Sequence, residues 1–479
     1  MPVHYCLGLG EEKYARLADP WNFEPFAGAL RADIGAAPFD LLGLLPSFAW
    51  TEPNALSSHA IAQLSFKNHK SASAFRDLLD NSNLAKRRVG GKKSYGFGHD
   101  PIISAMDSWS PMGSDGGIFG DRGLADGLTG VRALWSVAGD GVPEGGATGE
   151  GVNVVIVDRG LERNWVKETI ERMASRRGLS DVKAEPDVLG WTRYETTVSD
   201  GRRIRRPIFP GATGSDHAQM IARNILAIAP KATIWDAPLL PLQDEEDAPP
   251  RISTVAHLFH WIKQAVAAGS VWSWDTRANA QVEVRTSGPW VVVNAWGVLD
   301  PESDPAFKGY ADDKDHLVVN DVARLDAARI DVVFAAGNCG EPCPDPRCGS
   351  EDTGPNCSIF GFNAQPGVLT VGAVRADGLP VAQSAQGKSR VVGLKKPDLC
   401  APSHFREDDD ASECNTGTSA ACAYAAGVLA ALRSLPKGKG RTPEKMRKLL
   451  RDTAQPAGAG WDPRLGFGVI DAEAALAAL

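Results

Sequence analysis

The strongest constraint on how this chain can fold is a rhythm that starts near residue 124, where short Val- and Ile-rich runs alternate with longer helical stretches. Residues 152–157, 233–235, 290–294, 332–336 and 368–373 are largely apolar along their length rather than alternating, as strands buried on both faces must be. Between them, residues 220–228, 252–268, 318–328 and 418–432 carry helical patterning. This order predicts an α/β fold with a doubly wound, mostly parallel sheet, whose reactive groups gather beyond the carboxyl ends of the strands. Two polar residues stand at such ends: Asp158 closes GVNVVIVD and Asn338 follows VVFAAG, with Gly160 and Gly337 beside them. A single polar residue at a strand end is usually just a turn former, so a third group has to make a site of them.

The third group is in GTSAACAYAAGVLAALRSLP, where Ser419 falls in the first turn of a helix of small residues ended by Pro436. A nucleophile there gains from the positive helix end and from backbone N–H groups that can stabilise an oxyanion. A helix cap at Thr418 or Ser419 is the plainer reading of this segment taken by itself.

Taken together, the segments resemble the subtilase family, the subtilisin-like serine peptidases. TGEGVNVVIVDRG (148–160) is similar to the family's aspartate segment and DHAQMIARNILAIAPKATIW (216–235) to its histidine segment. WVVVNAWG (290–297) resembles the substrate-binding strand, FAAGN (334–338) the oxyanion asparagine segment and GTSAACAYAAG (417–427) the serine segment. VLTVGAV, KPDLCAPS and LGFGVIDAEAA follow in family order, so the resemblance covers roughly residues 125–479.

The resemblance implies a serine endopeptidase working through an acyl-enzyme, with Ser419 as nucleophile, His217 as general base and Asp158 as the carboxylate that orients the imidazole. It also implies that Asn338 donates to the oxyanion and that Trp296 and Gly297 pair with an extended substrate backbone. Three positions depart from the family: Arg159 follows the aspartate, Ala218-Gln219-Met220 replaces the usual Gly-Thr-His, and Ala423 stands where the family has proline. Arg159 and the residues after His217 keep open a catalytically weak peptide-binding pseudo-protease, and an esterase or peptide ligase using the same acyl-enzyme is the second alternative.

The remaining sequence sets the surroundings. With 51 Lys and Arg against 59 Asp and Glu, the net charge of −8 offers no basic field for a nucleic-acid partner. No signal peptide or long apolar run is evident, so a cytoplasmic protein without a membrane partner is expected, with leaderless secretion as the alternative. The expected partners are a protein or peptide substrate and an inhibitor, either a separate protein or the chain's own N-terminal region. Residues 1–123 read as an extension and 124–479 as the peptidase domain. The extension contains a strand over 60–66 and a helix over 71–79, and its aromatics, Tyr5, Tyr14, Trp21, Phe23 and Phe26, are expected to pack on the peptidase domain.

No cofactor is required. Ca²⁺ remains an option without a located site, and the acidic runs 244–247 and 407–410 are either solvated loops or edges of the cleft. His257 and His260, at i and i+3, lack a third metal ligand nearby. Cys339, Cys343, Cys348 and Cys357 suggest one or two crosslinks, with Cys400, Cys414 and Cys422 able to contribute another.

Overall fold

The computed structural model describes residues 3–479 apart from internal stretches, the longest being 15–23, 46–59, 106–117, 241–250 and 299–309. At the N-terminus, β1 (Val3–Leu9), β2 (Asp40–Leu45), β3 (Ala60–Phe66) and β4 (Tyr95–His99) form a four-stranded sheet in the order β2-β3-β1-β4. Helices α1 (Glu24–Ile34) and α2 (His69–Asn81) accompany it, and the Asn68 side chain caps α2 by accepting the Ser71 N–H. Tyr5, Tyr14 and Phe26 are buried in this unit's own core with Leu64, Phe66, Phe75 and Phe97, and Tyr5 stacks on Phe97 at 4.9 Å. The expectation that these aromatics need the peptidase domain as a cover is therefore corrected: two helices and a sheet already remove them from water. Trp21 and Phe23 lie outside the described residues.

The unit is nevertheless docked. Asp100 accepts from the Ser253 N–H and hydroxyl, Gln63 donates to Ser253 Oγ, and Cys6 and Ile103 are buried in a core of the larger domain. Beyond β5 (Ser104–Ala105), helix α3 (Arg122–Thr129), capped by Asp121, opens the larger domain and straddles position 124.

The central sheet comprises β6 (Asn153–Asp158), β7 (Leu189–Gly190), β8 (Thr233–Pro238), β9 (Trp290–Asn294), β11 (Ile330–Ala335), β12 (Leu369–Val374) and β13 (Leu399–Pro402), while the short β10 (Trp296–Gly297) lies outside it. Its order is β13-β12-β11-β9-β6-β8-β7, with every neighbouring pair parallel. Helices α4 (Arg163–Arg176), α5 (Asp216–Ile228), α6 (Ile252–Ala268), α7 (Asn320–Ala327) and α8 (Gly417–Ser434) complete the frame. One core joins the sheet to α5 and α8, the other joins it to α6 and α7. No helix among the described residues is long and apolar enough to cross a membrane.

The sequence expectation lacks the antiparallel hairpins Arg193–Ser199 with Arg202–Ile208 and Ser270–Asp275 with Ala280–Arg285, in whose sequences polar and charged residues interrupt any apolar run that would announce them. Every residue of α8 is buried, which its Ala-rich composition permits. A Cβ on Gly427 would meet Ile228 Cβ at 3.2 Å and the Asn224 carbonyl at 3.3 Å, so this glycine sets the close approach of α8 to α5.

Candidate active site

Three elements converge at the carboxyl edge of the sheet. Asp158 ends β6, fully buried, with its Oδ1 accepting the Arg159 N–H at 2.7 Å. The chain turns away at Gly160, whose φ of 116° and 2.9 Å approach of a notional Cβ to the Thr213 carbonyl exclude a side chain. His217 lies in the first turn of α5, which Ser215 caps by accepting from the Ala218 N–H at 3.1 Å. Its Nδ1 stands 3.0 and 2.9 Å from the two Asp158 oxygens, and its Nε2 stands 3.0 Å from Ser419 Oγ. Ser419, in the first turn of α8, also lies 3.3 Å from the Ala295 carbonyl.

Asn338 follows β11 and is buried. Its Oδ1 accepts from the Thr418 N–H at 3.1 Å and the Thr418 hydroxyl at 2.9 Å, which leaves the amide nitrogen as the end turned away from Thr418. Thr418 was not singled out beyond a capping role in the sequence, because its clamp on Asn338 depends on the packing of α8 against the end of β11. Directly after Asn338, Cys339 is joined to Cys348. Cys343 and Cys357 are not paired, nor are Cys400, Cys414 and Cys422, so one of the one or two crosslinks expected in this loop forms and the optional further pair does not.

Trp296 is a core residue whose backbone still forms a strand. Its ring is fully buried against Phe334 and Phe362, with Nε1 donating to Asn294 Oδ1, while its backbone forms β10. That strand is already paired within the chain: Trp296 and Gly297 face Ala105 and Ser104 of β5 in antiparallel register. Beside Asn338, a recess lined by Val298, Ala336, Gly337, Cys339, Ser358, Phe360 and Asn363 carries no charged side chain.

The departures from the family leave the arrangement intact. Met220 Sδ accepts from the Thr416 N–H at 3.3 Å, and α8 continues unbroken through the buried Ala423.

Other expectations need correction or lie out of reach. Glu407 does not edge a solvated cleft: it is 3% exposed and paired with Arg122, Arg176 and Arg223, because an isolated buried carboxylate would be too costly. Residues 408–410 and 244–247 lie outside the described residues. Among the described residues no group of three His, Cys, Asp or Glu side chains is placed to hold a metal ion. His257 accepts from Trp261 Nε1 at 3.0 Å, and burial lowers its pKa to about 3, a structural histidine in the interior.

The class of protein that the fold defines is the doubly wound, subtilisin-like α/β architecture. The subtilase family model matches residues 212–468, and the chain belongs to that family. Mycosin-1 of Mycobacterium tuberculosis (strain ATCC 25618 / H37Rv) is 33% identical over 159 residues, which is 30% of this chain and 35% of that protein. The match therefore spans about a third of the curated relative's length. Fervidolysin from Fervidobacterium pennivorans, a keratinolytic enzyme related to subtilisin, shares the fold with a TM-score of 0.52 at 15% identity, over all of this chain and 61% of that one.

Proposed function

We propose that the protein is a serine endopeptidase that cleaves proteins or peptides through an acyl-enzyme. The observation that carries this reading is the unbroken line from Asp158 through His217 to Ser419, with 2.9 Å at the first contact and 3.0 Å at the second. Ser419 Oγ attacks the scissile carbonyl carbon while His217 Nε2 takes its proton, and Asp158 stabilises the imidazolium and holds the tautomer. The tetrahedral oxyanion receives the Asn338 amide N–H and the Ser419 backbone N–H. Collapse expels the amine, which leaves with the proton from His217, and water then enters by the same route.

An extended substrate would add to β10, the strand that β5 covers within the chain. No cofactor enters the chemistry, and the N-terminal region is the nearest protein partner. The Cys339–Cys348 bond supports an oxidising compartment over the reducing cytoplasm.

Profiling cleavage of a peptide library tests the reading. Wild-type protein should cut and should label with a fluorophosphonate probe, whereas Ser419→Ala should do neither while keeping its thermal transition. Cleavage retained by Ser419→Ala would remove the nucleophile assignment.

A further inference from the structure

A second carboxylate, unused in the chemistry above, lies behind the Asp158–His217 pair. Asp236 is 1% exposed on β8, which runs parallel to β6 with Asp236 opposite Ile156 and Pro238 opposite Asp158. In that register Asp236 and Asp158 share one face of the sheet, the face covered by α5. Asp236 Oδ2 accepts two backbone N–H groups, Leu161 at 3.2 Å and Gly211 at 2.9 Å. Leu161 belongs to the loop that leaves Asp158, and Gly211 to the loop that enters the His217 helix. The two loops are also stitched directly, by the Ser215 N–H on the Gly160 carbonyl at 3.2 Å and the Arg163 N–H on the Gly211 carbonyl at 3.2 Å. The second oxygen, Oδ1, is buried without a hydrogen-bond partner among the described residues.

We propose that Asp236 is a positioning residue for the catalytic pair: it ties the Asp158 loop to the His217 loop, and its charge sets the pH range in which His217 can take the Ser419 proton. This rests on the reading of Asp158, His217 and Ser419 as the catalytic line. Two N–H donors on one oxygen, with nothing on the other, suit a carboxyl whose Oδ1 carries a proton at low pH and loses it as the pH rises. Burial, and to a smaller extent the Asp158 charge, push this carboxyl up to about 7 while the two N–H groups pull it down.

Among the charged groups of the described residues, the Asp158 carboxylate is the one that pushes the Asp236 carboxyl up. Glu162, in the adjoining loop, turns its oxygens onto the Asn164 and Trp165 N–H groups at the start of α4, and Arg159 and Arg163 flank the same loop. Ionised, Asp236 adds a second negative charge behind His217, stabilises the imidazolium and shifts the onset of activity to higher pH.

The rate of fluorophosphonate labelling of the full chain as a function of pH tests this without knowledge of the substrate. Asp236→Asn keeps an acceptor for both N–H groups but removes the charge, so its labelling should reach half-maximum roughly half a pH unit below wild type. Asp236→Ala, which leaves both N–H groups without their acceptor, should label more slowly at every pH. Asp236→Thr serves as the uncharged variant if Asp236→Asn does not fold, with the same expected shift. Superimposable pH profiles for wild type and a folded uncharged variant overturn the proposal. Folded wild type that takes no label at any pH fails the catalytic reading itself, a result distinct from superimposable profiles.

Discussion

Asn338 shows how far one side chain's orientation depends on the neighbour that fixes it. Thr418 spends its N–H and hydroxyl on Asn338 Oδ1, so the amide cannot flip without losing two hydrogen bonds. Asn338→Ala should therefore cut turnover by about 10²–10³ while fluorophosphonate labelling of Ser419 persists, and a variant with turnover within twofold of wild type would exclude the amide as donor. Asp158, His217, Asn338 and Ser419 were legible in the sequence because each sits in a short segment whose local order survives as a strand end or a helix start. Asp236 and the Thr418 clamp were not, since both depend on which strand or helix comes to lie alongside, and that is a property of register rather than of local sequence.

Among elements, the informative junction is between α3, α5 and the start of α8. Arg122 of α3 pairs with Glu407 and donates to Asn224 of α5 at 2.9 Å, Arg223 of α5 reaches Glu407 at 3.3 Å, and Asn415 donates to Glu407 at 2.9 Å just before α8. Burial alone would raise the Glu407 carboxyl, but Arg122 and then Arg223 and Asn415 hold it at about 2, below its ordinary 4.5. Because the folded value is the lower one, its contribution to stability is complete above pH 4.5 and is lost as pH falls toward 2. Glu407→Gln strands Arg122 and Arg223 in the interior and should cost about 3–5 kcal/mol at pH 7. Denaturant unfolding should show that gap narrowing between pH 4.5 and pH 3, and a constant gap would refute the assignment. The sequence offered Glu407 only as part of an acidic run, because nothing in a run of carboxylates says which one meets three arginines.

For the whole molecule, the parallel sheet was readable from its apolar runs: the predicted strand over residues 290–294 forms as Trp290–Asn294, and the strand over 152–157 as Asn153–Asp158. How the N-terminal unit covers its own aromatics was hidden, since β1 finds its partners β3 and β4 more than fifty residues further along the chain. The consequence lies in β5, held against β10. Replacing Ser104 and Ala105 with proline removes two backbone donors, and the half-saturating concentration of a short peptide should then fall several-fold with turnover at saturation unchanged. An unchanged value would mean that the pairing does not persist in solution. A segment carried on the same chain competes at an effective concentration on the order of millimolar, whatever the dilution of the protein. With β10 as the proposed substrate strand, any external peptide would meet a site open only for a fraction of the time, and its apparent affinity would be its intrinsic one scaled by that fraction.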